Sequence, residues 1–290
     1  MNSIDLHTHT CKSDGSYTPT ELVDYAIEKG LSAVAITDHD SIEGLDEALS
    51  HAKALREKGL PSIEVIPGIE FSTKYEQQDV HIVGLYIAYD SPVFLEPLNA
   101  FVNSRTNRNI KMCENLQSAD IDITYEKLQA RFPDAVITRA HYASYLLEQG
   151  YVKSRQDAFA KYLGDHTKYF VPREKVTPAQ AVSLILQAGG VPILAHPPLY
   201  HMGQERLDAL TASLKEDGLM GIEAFYSTYS NQDVRDMLHL AKKYDLLLSG
   251  GSDFHGANKP GLDLGCGYGK LYVPEDLLTD IKKRLAAAAR

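Results

Sequence analysis

Histidines and carboxylates in this chain gather at the ends of its strand-like runs. Seven short stretches rich in β-branched and apolar residues fall at 3–6, 33–37, 63–69, 80–87, 191–195, 221–226 and 246–249. His7 and His9 follow the first, Asp38 and His39 the second, and Glu70 the third. His81 begins the fourth, His196 closes the fifth, and Asp253 and His255 follow the seventh. Each residue alone has an ordinary explanation, such as a core histidine or a helix cap. Their joint recurrence at strand ends does not, because the C-terminal ends of the strands in a βα barrel converge on one mouth.

Helix-like segments separate the runs, so the expected class is α/β with a largely parallel sheet. Thr18-Pro19 can cap and open a helix, with Leu22, Val23, Ala26 and Ile27 at helical spacing and Gly30 as the stop. Thr177-Pro178 repeats the device. Between 103 and 175 there is little strand-like alternation but several helical patterns, near 110–116 and 140–147. This stretch is expected to be a helical insertion, with the barrel formed by 1–102 and 176–290.

Charge divides along the same line. The chain carries a formal −10, which disfavours wrapping long nucleic acid. The insertion nevertheless holds 12 Lys/Arg against 9 Asp/Glu, leaving the strong acidity to the remainder. Cys11, Cys113 and Cys266 are far apart and odd in number, which suits a reducing compartment rather than a disulfide framework. No apolar stretch reaches the ~20 residues of a membrane span. The opening MNSIDLHTHT lacks a basic segment followed by an apolar run. A cytoplasmic protein is expected.

Nine candidate ligands exceed what one divalent ion takes, usually four to six. His7, His9, His39, His81, His196 and His255 bind as neutral imidazoles, while Asp14, Glu70 and Asp253 bring negative charge. Several divalent ions would leave a positive surplus able to hold a hydroxide and a phosphate dianion. The chemistry this suits is phosphate ester hydrolysis.

His7-Thr-His9, Asp38-His39, Pro67-Gly-Ile-Glu70, Ala195-His-Pro and Gly251-Ser-Asp-Phe-His255 resemble the PHP (polymerase and histidinol phosphatase) superfamily. The likeness is greatest to its bacterial nucleotide and RNA 5′-end phosphoesterases, and it covers essentially the whole chain. The resemblance implies a distorted (β/α)7 TIM-like barrel with a helical insertion and three divalent ions, Mn, Fe or Zn. One ion would be held by His7, His9, Glu70 and Asp253; a second by Glu70, His81 and His196; a third by Asp14, His39 and His255. A metal-bridged hydroxide would attack, with Asp38 orienting a ligand and His201 a candidate acid for the leaving oxygen.

The insertion is expected to cap the mouth. Arg105, Arg108, Arg139, His141 and Lys161 are its candidate phosphate contacts, and Thr138-Arg-Ala-His141 resembles a motif of this branch. The aromatic pair Tyr226 and Tyr229 offers a stacking face for a base, although a histidine is common in such proteins where Tyr229 stands. The expected substrate is a 5′-nucleoside monophosphate, a 3′,5′-bisphosphate or a short 5′-phosphorylated oligonucleotide. A histidinol-phosphate-type phosphatase and a non-catalytic metal-binding module are the alternatives.

Overall fold

The computed structural model describes residues 3–76, 78–133, 135–172 and 176–288. Its elements run β1 (Ile4–Asp5), α1 (Pro19–Glu28), β2 (Ala33–Ile36), α2 (Leu45–Glu57), β3 (Glu64–Tyr75) and β4 (Gln78–Leu85). Helices α3 (Pro92–Gln117), α4 (Tyr125–Arg131), α5 (Arg139–Glu148), α6 (Arg155–Ala158) and α7 (Pro178–Gln187) follow. The chain ends with β5 (Val191–Ala195), α8 (Gln204–Glu216), β6 (Gly221–Tyr226), α9 (Asn231–Lys243), β7 (Leu247–Gly251) and α10 (Asp276–Ala288).

The seven strands lie in chain order in one nearly closed sheet, a distorted α/β barrel. The ladder is parallel except at β4, which runs antiparallel to both β3 and β5. That reversal refines the expected parallel sheet and explains the position of His81. In a reversed strand the N-terminal part reaches the mouth, so His81 lies opposite Ala195, beside His196. The seam between β1 and β7 is thin. Leu6 N–H donates to Gly250 at 3.1 Å and Asp253 N–H to His7 at 2.9 Å. Asp5, fully buried, reinforces the seam by accepting backbone N–H groups of Ser252 and Gly265, both at 2.9 Å, and of His7 at 3.3 Å. Burial raises its carboxyl to about 6.

Strand residues alternate between two apolar layers. Ala33, Ala35, Val83, Leu85 and Ile193 fill the barrel, whose lower end Leu278 and Ile281 of α10 plug. Val34, Ile36, Ile69, Ile82 and Leu194 face outward against the helices. A separate cluster holds the helical segment together, built on Met112, Leu116, Leu128, Tyr142 and Leu163. Its first helix, α3, spans both regions: Phe94 and Leu98 pack on the barrel's layer, Met112 and Leu116 in the helical one. Residue 103 therefore falls inside α3, while the expected boundary at 175 lies outside the described residues. The helix caps read at Thr18 and Thr177 are both present, completed as capping boxes by Glu21 and Gln180 respectively.

Candidate metal centre

The loop after β1 is shaped by Asp38. Its carboxylate accepts the Thr10 N–H at 2.8 Å, the Thr10 hydroxyl at 2.6 Å and the Ser13 hydroxyl at 2.5 Å. This folds 10–14 back so that Asp14 faces His9. A Cβ at Gly15 would stand 2.3 Å from the His9 carbonyl oxygen, so the turn demands glycine there. Two of the predicted ligands occupy left-handed backbone, His196 at φ 32° and Asp253 at φ 56°. Such conformations persist where surrounding contacts over-determine them.

All nine predicted ligands converge. Glu70 is central: its Oε2 lies 3.2 Å from His7 Nε2, 3.2 Å from His9 Nε2 and 3.0 Å from His39 Nδ1. Its Oε1 meets His81 Nδ1 at 2.8 Å and His196 Nε2 at 3.0 Å. Asp253 Oδ1 is 3.2 Å from His9 Nε2 and 3.3 Å from His255 Nδ1. Asp14 Oδ1 is 3.1 Å from His255 Nε2. Ligand atoms within 4.8 Å of one another form four overlapping groups, and His7, His9, His39 and Glu70 each belong to two.

These groups do not satisfy one another. Asp14 Oδ1, Glu70 Oε2, His39 Nδ1 and His196 Nδ1 are buried without a hydrogen bond, a costly state for protein polar atoms. His7 Nε2 faces His9 Nε2 at 3.1 Å, where at most one can carry a proton. Burial would raise the Glu70 carboxyl, but His39, His7 and His81 hold it well below the usual range. An all-nitrogen-and-oxygen set with unmatched acceptors fits divalent cations.

Two residues that the sequence reading passed over, Glu223 and Lys259, and one that it took for a stacking face, Tyr226, support this set. Glu223 on β6, almost fully buried, accepts from His7 Nδ1 at 2.8 Å and from the His196 backbone N–H at 2.6 Å. It fixes the His7 tautomer so that Nε2 presents its lone pair. A lone Glu inside Gly-Ile-Glu-Ala-Phe-Tyr was the available signal. Tyr226 donates its hydroxyl to Asp253 Oδ2 at 2.5 Å, and the Lys259 ammonium meets the same oxygen. That leaves Asp253 Oδ1 to the histidines. Lys259 carried no signal in sequence. Tyr226 and Tyr229 pack with tilted rings, centroids 5.3 Å apart, behind Asp253 and Glu223, and neither lines the cavity beside the cluster.

That cavity, about 390 Å³, is lined by Asp14, His39, His81 and His196 of the cluster and by Arg105, Arg108 and Arg139 of the helical segment. Arg105 pairs with Asp40 and reaches Ser72 Oγ at 3.3 Å. Arg139 donates to Asp165 at 2.5 Å and Asp79 at 3.2 Å, between the rings of Phe159 and Phe170. The other proposed contacts lie elsewhere. His141 caps α5 by accepting the Thr138 N–H at 2.9 Å and lines a second cavity of about 350 Å³ behind Asp14. Lys161 is exposed and pairs with Asp157 at 3.0 Å. His201 is exposed after the Pro197–Tyr200 turn.

A barrel with this cluster at its mouth defines a metal-dependent phosphoesterase. The chain belongs to the PHP domain family, which matches residues 5–223. It is 38% identical over 252 residues to a 5′-3′ exoribonuclease of Haemophilus influenzae, covering 87% of this chain and 89% of the relative. It is 34% identical over 267 residues to a 3′,5′-nucleoside bisphosphate phosphatase of Chromobacterium violaceum, covering 91% of each. A solved Bifidobacterium adolescentis structure described as a metal-dependent phosphoesterase superposes with a TM-score of 0.82 at 32% identity, covering 98% of this chain and 96% of that one. Among the described residues no helix is long and apolar enough to cross a membrane.

Proposed function

We propose that the cluster holds three divalent cations, Mn, Fe or Zn, and that the chain hydrolyses phosphate esters of nucleotides. The substrates are a 5′-nucleoside monophosphate, a 3′,5′-bisphosphate or a short 5′-phosphorylated oligonucleotide. The observation that carries this reading is the set of unmatched buried ligand atoms facing a cavity walled by three arginines. The relatives named for exoribonuclease and bisphosphate phosphatase activities support it.

His7, His9, Glu70 and Asp253 would hold one cation, Glu70 with His81 and His196 a second, and Asp14, His39 and His255 a third. The two oxygens of Glu70 face different histidines, as a bridging carboxylate requires. When bound, such cations lower the pKa of water and neutralise charge on the attacking and leaving oxygens. The protein's own part is positional. Asp38 and Glu223 lock the ligand geometry, and residues 103–175 act as a cap that sets Arg105, Arg108 and Arg139 opposite the cluster. Arginine's planar fork suits phosphate oxygens, and the volume falls in the range of small-ligand pockets, about 300–1,000 Å³.

The arginine wall favours an anionic substrate over the amine of a histidinol-phosphate type. The test is phosphate release from 5′-AMP, 3′-AMP, adenosine 3′,5′-bisphosphate, a 5′-phosphorylated RNA trimer and histidinol phosphate, with manganese and after chelation. Metal-dependent release from a nucleotide or the trimer is expected. Turnover of histidinol phosphate alone would reverse the substrate assignment. Silence throughout from protein shown to contain metal would favour a binding module.

A further inference from the structure

The loop that carries Asp14 is fastened from outside the barrel. Arg155, the first residue of α6, reaches the segment that follows His255. Its Nη1 donates to the Asn258 carbonyl oxygen at 2.9 Å and its Nη2 to Asn258 Oδ1 at 2.8 Å. With Oδ1 so engaged, the orientation of the Asn258 amide is set, and Nδ2 donates to the Asp14 carbonyl oxygen at 2.9 Å. Further bonds join the same two loops: Ala257 N–H to Ser16 Oγ at 2.8 Å, and Ser16 N–H to the His255 carbonyl at 3.1 Å. The helical segment adds a second attachment where Val136 N–H donates to the Lys12 carbonyl at 3.1 Å. There is no slack at the join, since a Cβ at Gly256 would stand 2.1 Å from Ser16 Oγ.

We infer that Arg155 is a positioning residue for the cation held by Asp14, His39 and His255, acting through Asn258 on the Asp14 backbone. Arg155 lines the second cavity behind Asp14 and does not line the one that faces the cluster. Its two parallel N–H groups grip the main-chain and side-chain oxygens of a single residue, a fork that lysine cannot reproduce. Asp14 Oδ1, aimed at His255 and without a hydrogen bond, depends on this backbone for its place. The group around His7, His9 and Asp253 has separate supports in Glu223, Tyr226 and Lys259. Loosening Arg155 therefore acts on one cation and spares the others.

This inference rests on the three-cation reading, and metal counting separates the two. Protein loaded with Mn²⁺ is dialysed against graded chelator, and bound manganese is measured by elemental analysis for wild type, Arg155→Ala, Arg155→Lys and Asn258→Asp. Asn258→Asp keeps an acceptor for Arg155 but loses the donor to Asp14. Wild type is expected to hold three ions. Arg155→Ala and Asn258→Asp are expected to release one of the three at about tenfold lower chelator, the size typical of lost ligand support. The other two ions should leave as in wild type, with Arg155→Lys intermediate and circular dichroism in chelator unchanged. If Arg155→Ala does not fold, Asn258→Asp decides. Variants that match wild type, or that lose all ions together, would overturn the inference and leave the three-cation reading standing. Wild type that never exceeds two ions would overturn both.

Discussion

The two walls of the central cavity are built on opposite electrostatic plans. At the barrel mouth, carboxylates and imidazoles are packed so that buried acceptors remain unmatched. On the helical wall the charges already have partners: Arg105 sits on Asp40, and Arg139 on Asp79 and Asp165. The mouth is poised for cations that the protein does not supply. The wall holds its positive charge in check, so under the proposed function a phosphate arriving there would compete with aspartates for the same guanidinium. On that proposal, affinity for cations would be set by preorganisation and affinity for substrate by an exchange of partners.

The contrast can be broken most severely at the mouth. His9→Ala or Asp253→Ala should reduce phosphate release by on the order of 10³-fold or more, the scale of several kcal/mol lost with metal activation. Circular dichroism should show the fold largely intact, and a fully active Asp253→Ala protein would sink the site. One shell further out, Glu223→Gln keeps the shape of the side chain but removes the charged acceptor of His7. Manganese affinity should fall about 10–100-fold by calorimetry; unchanged affinity would leave Glu223 with a packing role only.

At the wall, effects should appear in KM. Arg139→Ala is expected to raise KM for the nucleotide about tenfold, the scale of one charge-assisted contact pair. Asp165→Asn should do the reverse by a few fold, because it frees the guanidinium. If both substitutions raise KM alike, the exchange of partners is wrong. The smallest effect concerns stability without metal. Burial holds His141 down at about 4, against an ordinary 6.5. The folded state then binds fewer protons than the unfolded, so its stability is full above about pH 6.5 and is lost as pH falls towards 4. His141→Gln should flatten that slope in urea titrations run in chelator, whatever it does to the absolute value.

The legible parts of this molecule are those encoded by neighbours in sequence. Helix caps at Thr18 and Thr177 lie within single turns, and strand positions follow from runs of β-formers, so both could be read directly. Eight of the nine converging side chains were visible as a pattern at the ends of strand-like runs; Asp14, in the loop after the first run, was not part of that pattern. The direction of β4 was not, since polar and apolar residues alternate identically in either sense, and only pairing with β3 and β5 reveals it. Glu223, Lys259 and Arg155 act on partners brought close by the fold: Glu223 lies 216 positions from His7, and Arg155 lies 103 from Asn258. His141 shows the converse. A local motif suggested a substrate contact, but the same spacing also makes a helix cap, and the structure uses the cap.

The thin seam between β1 and β7 has a thermodynamic corollary. His7 and His9 stand just beyond the first strand, Asp253 and His255 just beyond the last. A cation gripping both sets links the two ends of nearly the whole chain, like a rivet through the overlap of a rolled sheet. Closing so long a loop restricts chiefly the unfolded chain, and the binding free energy becomes folding free energy. Metal stripping should then loosen the barrel first at this overlap, with β1 and β7 exchanging their amide hydrogens before the strands between them.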